Sequence, residues 1–314
     1  MDGVCVSILR FGTLELRNDQ DKLELADRRL GSASRKGHFM ADASIEQEGN
    51  VLTPEMVDFY EDHGYLHIPR VFDEDEIGRM ADELDWQIET WAGKSQGWSG
   101  PWRQVYMDEE TEKQSKLIAL HDLHRYSKAW CDAVTHPGLA GAIADLIGPD
   151  VELHHTTLHA KPPETGHPFP MHQDWAFYKH EDGRYVDCLV HLDDTDDHNG
   201  CIRFLDGSHK QGALKHVTEN PDGTGCTPHL PTDEWDLEHT VPVPARRGDV
   251  VVFCIHTIHG SRINQSDRIR RMVRVGYRNP SNAQTAGQSM GRPGLMVWGQ
   301  RSREPGQEVY PTSI

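Results

Sequence analysis

Apolar positions along the chain follow two periods, and the change falls near residue 150. Before it, apolar residues recur at helical spacing; after it they gather in short runs with strand spacing. Thr53-Pro54-Glu55 predicts a helix start, with threonine as N-cap and proline at the first helical position, and Gly64 predicts its stop after His63. Residues 65–68 read as a short strand. Asp73 with Glu76 predicts a capping box for a second helix. Its apolar positions Ile77, Met80, Leu84, Ile88 and Trp91 share one face, and Gly93 ends it. The glycine- and tryptophan-rich stretch 93–106 reads as a loop. A further helical region covers roughly 126–147, interrupted at His136-Pro137-Gly138, with Leu139, Ile143, Leu146 and Ile147 inward.

From residue 150 the runs 151–160, 185–192, 201–205, 249–254 and 271–277 predict β-strands separated by Gly, Pro, Asn and Asp clusters. Helices followed by many short strands predict an α+β fold with a β-sandwich or jelly roll as its core. Residues 1–50 lack periodicity and read as a mobile extension, with Met40 as a conceivable alternative start. The expected domain is 51–285, and 286–314 reads as a C-terminal extension. Residues 213–247 are acidic and Pro/Gly-rich, and a segment of that length suits a lid over a barrel mouth.

Charge narrows the partners. With 50 acidic against 32 basic residues the formal charge is −18, which disfavours nucleic acid and anionic membrane. No apolar run is long enough to span a bilayer. Six cysteines form no CxxC pair, and Cys188, Cys201 and Cys254 sit in apolar runs that suit free buried thiols. The expected setting is the cytoplasm and the expected partner a small molecule, with the chain a monomer or small homo-oligomer.

The candidate chemistry is metal binding. His172 and Asp174 lie two residues apart, so an extended backbone would turn imidazole and carboxylate to one side. With a distant histidine they would form a two-His-one-carboxylate face of the kind that holds non-haem Fe(II). His180/Asp182 and His191/Asp193 share the HxD spacing, and 20 histidines make chance pairs expected, so the residues alone leave the choice open. The run from Gly248 ends in His256 and His259, which are three apart and would face opposite sides of a strand. Behind it Arg268, Arg270, Arg271 and Arg274 crowd one stretch. Most would be solvated, yet one guanidinium fork could hold a dicarboxylate. Gln173 points away from the pair and suits a structural hydrogen bond; unbroken alternation would put Ala176 and Tyr178 on the ligand side, with Trp175 in the core. His154, His155 and His159 read as pocket or core groups.

Taken in order, these motifs resemble the phytanoyl-CoA dioxygenase family of Fe(II)/2-oxoglutarate oxygenases over roughly residues 53–280. Lys161-Pro162-Pro163 and Gly166 before His172-Gln173-Asp174 resemble the family's approach to its HxD. Leu192-Asp193-Asp194, Asn199-Gly200-Cys201-Ile202-Arg203-Phe204 and Gly207-Ser208-His209-Lys210 resemble its next hairpin, with Gly207 and Gly260 read as turn-making glycines. His259-Gly260-Ser261, followed eleven residues after its histidine by Arg270, resembles its distal motif. The resemblance implies a double-stranded β-helix of cupin type flanked by N-terminal helices. It implies His172, Asp174 and His259 as Fe(II) ligands and 2-oxoglutarate and O2 as co-substrates. Arg270 and Ser261 would hold the distal carboxylate, with Arg268 as the rival anchor. Succinate and CO2 would be released. The chain departs from the family where Leu189 replaces a common tryptophan and His191 a small residue. Asp174 is kept, which favours hydroxylation over halogenation. The competing readings are a zinc-type hydrolase or isomerase on the same barrel and a non-catalytic jelly-roll binding module.

Overall fold

The computed structural model describes residues 51–302 except Pro293, so the expected extension 1–50 and the last twelve residues of 286–314 lie outside the described residues. Two antiparallel sheets face each other. The larger runs in the order Tyr65–Ile68, Val250–Cys254, Tyr185–His191, Arg270–Arg278, Val151–Lys161, Leu117–His121 and Lys94–Ser95. Leu295–Trp298 also pairs with Val151–Lys161. The smaller sheet runs Val241–Val243, Ile202–Phe204, His259–Ser261 and Phe169–His172. From Val151 onward the core strands switch between the sheets almost every time, which is the jelly-roll, double-stranded β-helix arrangement.

Strand alternation sorts the core into two compartments. On Arg270–Arg278, Val273, Val275 and Tyr277 join the large cluster formed with the helices, including Ile77, Leu84, Leu139 and Ile143. Met272, on the opposite face, packs between the sheets with Leu189, Ile202, Phe204 and Phe253. Arg270 and Arg274 share the parity of Met272, so the period of two carries two arginines into the barrel. Each fully buried aliphatic side chain contributes roughly 1.5–3 kcal/mol, so the apolar faces fix which way these arginines point.

The helices form for the reasons their sequences suggest. Pro54–His63 is capped by Thr53 and closed by Gly64 at φ 81°. Glu74–Trp91 carries the complete Asp73/Glu76 capping box and buries Ile77, Met80, Ala81, Leu84 and Gln87, whereas Trp91 is exposed. The later region divides into Lys128–Val134 and Pro137–Ile147, with His136 as the cap at the break. Residues 93–106 form a loop with the two-residue strand Lys94–Ser95 and the one-turn helix Arg103–Tyr106. Buried Arg103 ties it down by donating to Gln96 O at 3.0 Å and Trp98 O at 2.9 Å.

Residues 213–247 hold the hairpin Val217–Glu219/Gly225–His229 before Val241–Val243 enters the smaller sheet. Leu230 and Leu237 of this segment pack on Met171 and Ile258. Beyond residue 285 the chain completes Gln284–Gly287, paired with Tyr178–His180, and then Leu295–Trp298. Among the described residues no helix is long and apolar enough to cross a membrane. Cys188, Cys201 and Cys254 are free and buried.

Candidate active site

Two strands of the smaller sheet bring the histidines together. His259 is the register partner of His172, and their ring centroids lie 4.1 Å apart. Each ring donates Nδ1–H to the carbonyl two residues back, His172 to Pro170 O at 2.8 Å and His259 to Thr257 O at 3.0 Å. A carbonyl can only accept, so both rings keep the Nε2 lone pair for another partner. Phe169–His172 ends at the histidine, and the one-turn 3₁₀ helix Asp174–Ala176 swings the carboxylate back. Asp174 Oδ1 lies 3.6 Å from His172 Nε2 and 4.0 Å from His259 Nε2. The candidate donor atoms of all three residues fall within 4.8 Å of one another, and all three residues are buried. Asp174 Oδ2 is buried with no hydrogen-bond partner among the described residues.

Ionisation suits a cation. Burial alone would raise the Asp174 pKa, but Arg274, His172 and His259 hold it well below the usual carboxylate range. Burial, then the neighbouring His172, pushes the His259 imidazole down to about 3, so it is neutral. A carboxylate and neutral imidazoles are the forms that bind metal. The donor set, two imidazole nitrogens and a carboxylate oxygen gathered in one buried cluster, therefore fits Fe(II).

The four arginines separate cleanly. Arg268 is exposed beside Asp267. Arg271 faces the other way and pairs with Asp193 at 2.7 Å and Asp85 at 2.6 Å. Arg274 donates Nη1–H to Asp174 Oδ1 at 2.8 Å. Arg270 is 1% exposed; its Nη1 makes one long bond of 3.4 Å to His159 O, while Nε and Nη2 have no partner among the described residues. A buried guanidinium without a counter-charge is costly, so this site suits an incoming carboxylate. Leu189, Ile202, Phe253, Ser261 and Met272 line a narrow cavity that also touches His172, His259 and Arg274.

Other expected residues fall as follows. Gln173 is structural: its Nε2 donates to Gly212 O at 2.8 Å and His256 O at 2.7 Å, and its Oε1 accepts from Leu214 N at 2.8 Å. The 3₁₀ turn after Gln173 breaks the alternation assumed for Ala176 and Tyr178. Tyr178 is buried and donates to Asp187 Oδ2 at 2.6 Å, and Trp175 is only partly buried against the large core. Asp182 pairs with Arg184 in a turn, and Asp193 pairs with Arg271, so neither rival HxD carboxylate joins the cluster. His154 and His155 are buried and bonded to Tyr185 OH at 2.9 and 3.3 Å. Gly260 lies within a strand, where a Cβ would stand 2.8 Å from Phe169 O, so close approach and not a turn demands it.

Sequence reasoning missed Trp98, whose ring meets His172 edge-on at a centroid distance of 4.8 Å. No periodic signal marks it, although glycines flank the stretch: Gly97 sits at φ +83° against His167. It also left Lys161 as mere motif, whereas the side chain is fully buried and donates to Ser261 Oγ at 2.8 Å.

The phytanoyl-CoA dioxygenase (PhyH) family matches residues 60–272. A probable alpha-ketoglutarate-dependent hypophosphite dioxygenase of Stutzerimonas stutzeri is 28% identical over 225 residues, covering 69% of this chain and 76% of that protein. The peroxisomal phytanoyl-CoA dioxygenase of Rattus norvegicus is 25% identical over 247 residues, covering 73% and 69%. Among solved structures, the non-heme alpha-ketoglutarate-dependent carbocyclase SnoK from nogalamycin biosynthesis superposes with a TM-score of 0.63 at 23% identity, covering 80% of this chain and 96% of that one. This last likeness shows the fold. The chain belongs to the phytanoyl-CoA dioxygenase family, and is an Fe(II)- and 2-oxoglutarate-dependent dioxygenase.

Proposed function

We propose that His172, Asp174 and His259 hold the Fe(II), that Arg270 and Ser261 hold the distal carboxylate of 2-oxoglutarate, and that the enzyme hydroxylates a small-molecule substrate. The observation that carries this reading is the pairing of a buried three-donor cluster with a buried guanidinium whose Nε and Nη2 have no partner among the described residues. A hydrolytic zinc site would have no use for the second feature.

When bound, Fe(II) supplies oxidative chemistry in which O2 and 2-oxoglutarate are consumed and succinate and CO2 released. The chain's own residues bind, orient and exclude water. The backbone carbonyls of Pro170 and Thr257 fix the two imidazole tautomers. Arg274 donates to Asp174 Oδ1, the oxygen that faces both Nε2 atoms, and so orients the carboxylate toward them. Leu189, Ile202, Phe253 and Met272 give the cavity beside the cluster apolar walls, and a low-dielectric surrounding strengthens charge pairing made there. Trp98 closes the cluster over His172. The net charge of −18 supports a small molecule over nucleic acid as substrate. Free thiols at Cys188, Cys201 and Cys254 support a cytoplasmic setting, and a monomer or small homo-oligomer is the working form.

Anaerobic reconstitution tests the ligand assignment. The wild-type chain should retain one Fe(II), and His172→Ala and Asp174→Ala should each lose it while keeping the wild-type far-ultraviolet circular dichroism. Retention of iron by both variants would refute the assignment.

A further inference from the structure

We propose that Lys161 is a second cationic pole of the co-substrate pocket, orienting the Ser261 hydroxyl so that serine and Arg270 together receive the distal carboxylate of a dicarboxylic 2-oxo acid. This rests on the reading of Arg270 as the anchor and adds a residue to it.

Lys161 ends the strand Val151–Lys161 and is the register partner of Arg270. Its side chain is 0% exposed, and its recorded partners are Ser261 Oγ and the carbonyl of Arg262, neither of them an anion. An ammonium only donates, so Ser261 Oγ must accept from Nζ. The serine's own proton then turns elsewhere, and Ser261 lines the cavity shared with the metal cluster. Arg270 meanwhile offers Nε and Nη2 with no partner among the described residues. Two buried cationic side chains in register, with no carboxylate paired to either among the described residues, are a site made for an anion of more than one contact. Burial, then the charge of Arg270, pushes the Lys161 pKa well below its ordinary value. An arriving carboxylate relieves that repulsion.

The neighbouring backbone is shaped around this lysine. Gly200 stands at φ +78°, and a Cβ there would lie 2.5 Å from Arg262 O and 3.0 Å from Lys161 Nζ. Only glycine lets the chain pass so near both the ammonium and the carbonyl that holds it. A lysine needed solely to tie the Arg262 carbonyl to its strand would show its loss as lower stability, with no preference among ligands.

The test compares two ligands that share the keto-acid end. The anaerobic Fe(II) protein is titrated with 2-oxoglutarate and with 2-oxopentanoate, which lacks the distal carboxylate, and the chelate's visible absorption is followed. Lys161→Met should weaken 2-oxoglutarate binding about tenfold or more, the worth of one charge-assisted contact, and leave 2-oxopentanoate within about twofold. Removing a buried ammonium in favour of an apolar chain of similar length is tolerated in many cores. Should this variant fail to fold, Lys161→Gln takes its place, with the same selective loss expected. Unchanged affinity for 2-oxoglutarate, or equal loss for both ligands, would overturn the role of Lys161. A wild-type protein that forms no chelate band would overturn the underlying reading, and this proposal with it.

Discussion

Arg274 Nη1 stands 2.8 Å from Asp174 Oδ1, while Asp174 Oδ2 is buried without a hydrogen-bond partner among the described residues. Oδ1 is also the oxygen that faces the two imidazoles, 3.6 Å from His172 Nε2 and 4.0 Å from His259 Nε2, so the guanidinium fixes the carboxylate beside them. A second carboxylate stands beside the guanidinium: Asp187 Oδ1 lies 3.7 Å from Arg274 Nε, and Asp187 Oδ2 accepts from Tyr178 OH at 2.6 Å. Arg274→Met should therefore weaken Fe(II) binding by about tenfold to a hundredfold, the usual effect of losing a ligand's hydrogen-bond partner. Competition with a colorimetric chelator measures it, and unchanged affinity would remove Arg274 from the site.

Arg270 and Arg268 make opposite predictions. Arg270 is buried with two nitrogens that have no partner among the described residues, whereas Arg268 lies in solvent. Arg270→Ala should raise the 2-oxoglutarate dissociation constant by at least about tenfold, because a charge-assisted two-point contact is lost. Arg268→Ala should leave it unchanged. The reverse pattern would move the anchor.

Gln173 joins the metal strand to the segment 213–247. Its amide bonds Gly212, Leu214 and His256 at once, from a fully buried position. Gln173→Ala strips partners from buried backbone groups and should cost about 2–4 kcal/mol. Faster limited proteolysis within 213–247 would report the loosening, and an unchanged cleavage pattern would contradict it.

Acid should unfold the protein early. Burial holds the folded imidazoles of His154 at about 3, His167 at about 2 and His191 at about 4. The unfolded value is near 6.5, so as pH falls below it the unfolded chain binds protons that the folded chain refuses. This stability is complete above about pH 6.5 and is lost as the pH falls toward the folded values, each histidine adding a slope of up to ~1.4 kcal/mol per pH unit. Thermal unfolding midpoints should be nearly level from about pH 7 to 8 and drop steeply below about pH 6. A midpoint that holds or rises toward pH 5 would contradict the burial of these neutral rings.

Much of this was legible from residue type and spacing, for identifiable reasons. Thr53, Gly64, Asp73 and Glu76 announce helix ends because capping is local chemistry, and each forms as written. The arginine-bearing strand is read from its alternating apolar residues. Residues alone could not choose among the HxD pairs, since the choice depends on which carboxylates find other partners across the barrel: Asp193 finds Arg271, and Asp182 finds Arg184. Strand Leu117–His121 escaped notice, being short and half-buried at its end. Tyr178 was misplaced because a 3₁₀ turn interrupts the strand. Trp98 and Lys161 acquire meaning only through contacts more than 50 residues away in sequence, Trp98 with His172 and Lys161 with Ser261.

The central claim is that His172, Asp174 and His259 present Fe(II) to 2-oxoglutarate. Anaerobic addition of Fe(II) and then 2-oxoglutarate to the apo-protein tests it, with the visible charge-transfer band of the chelate as the readout. The account predicts a saturable band for the wild-type chain and none for the His172→Ala/Asp174→Ala double variant. A wild-type protein without the band, or a double variant that retains it, would contradict the account.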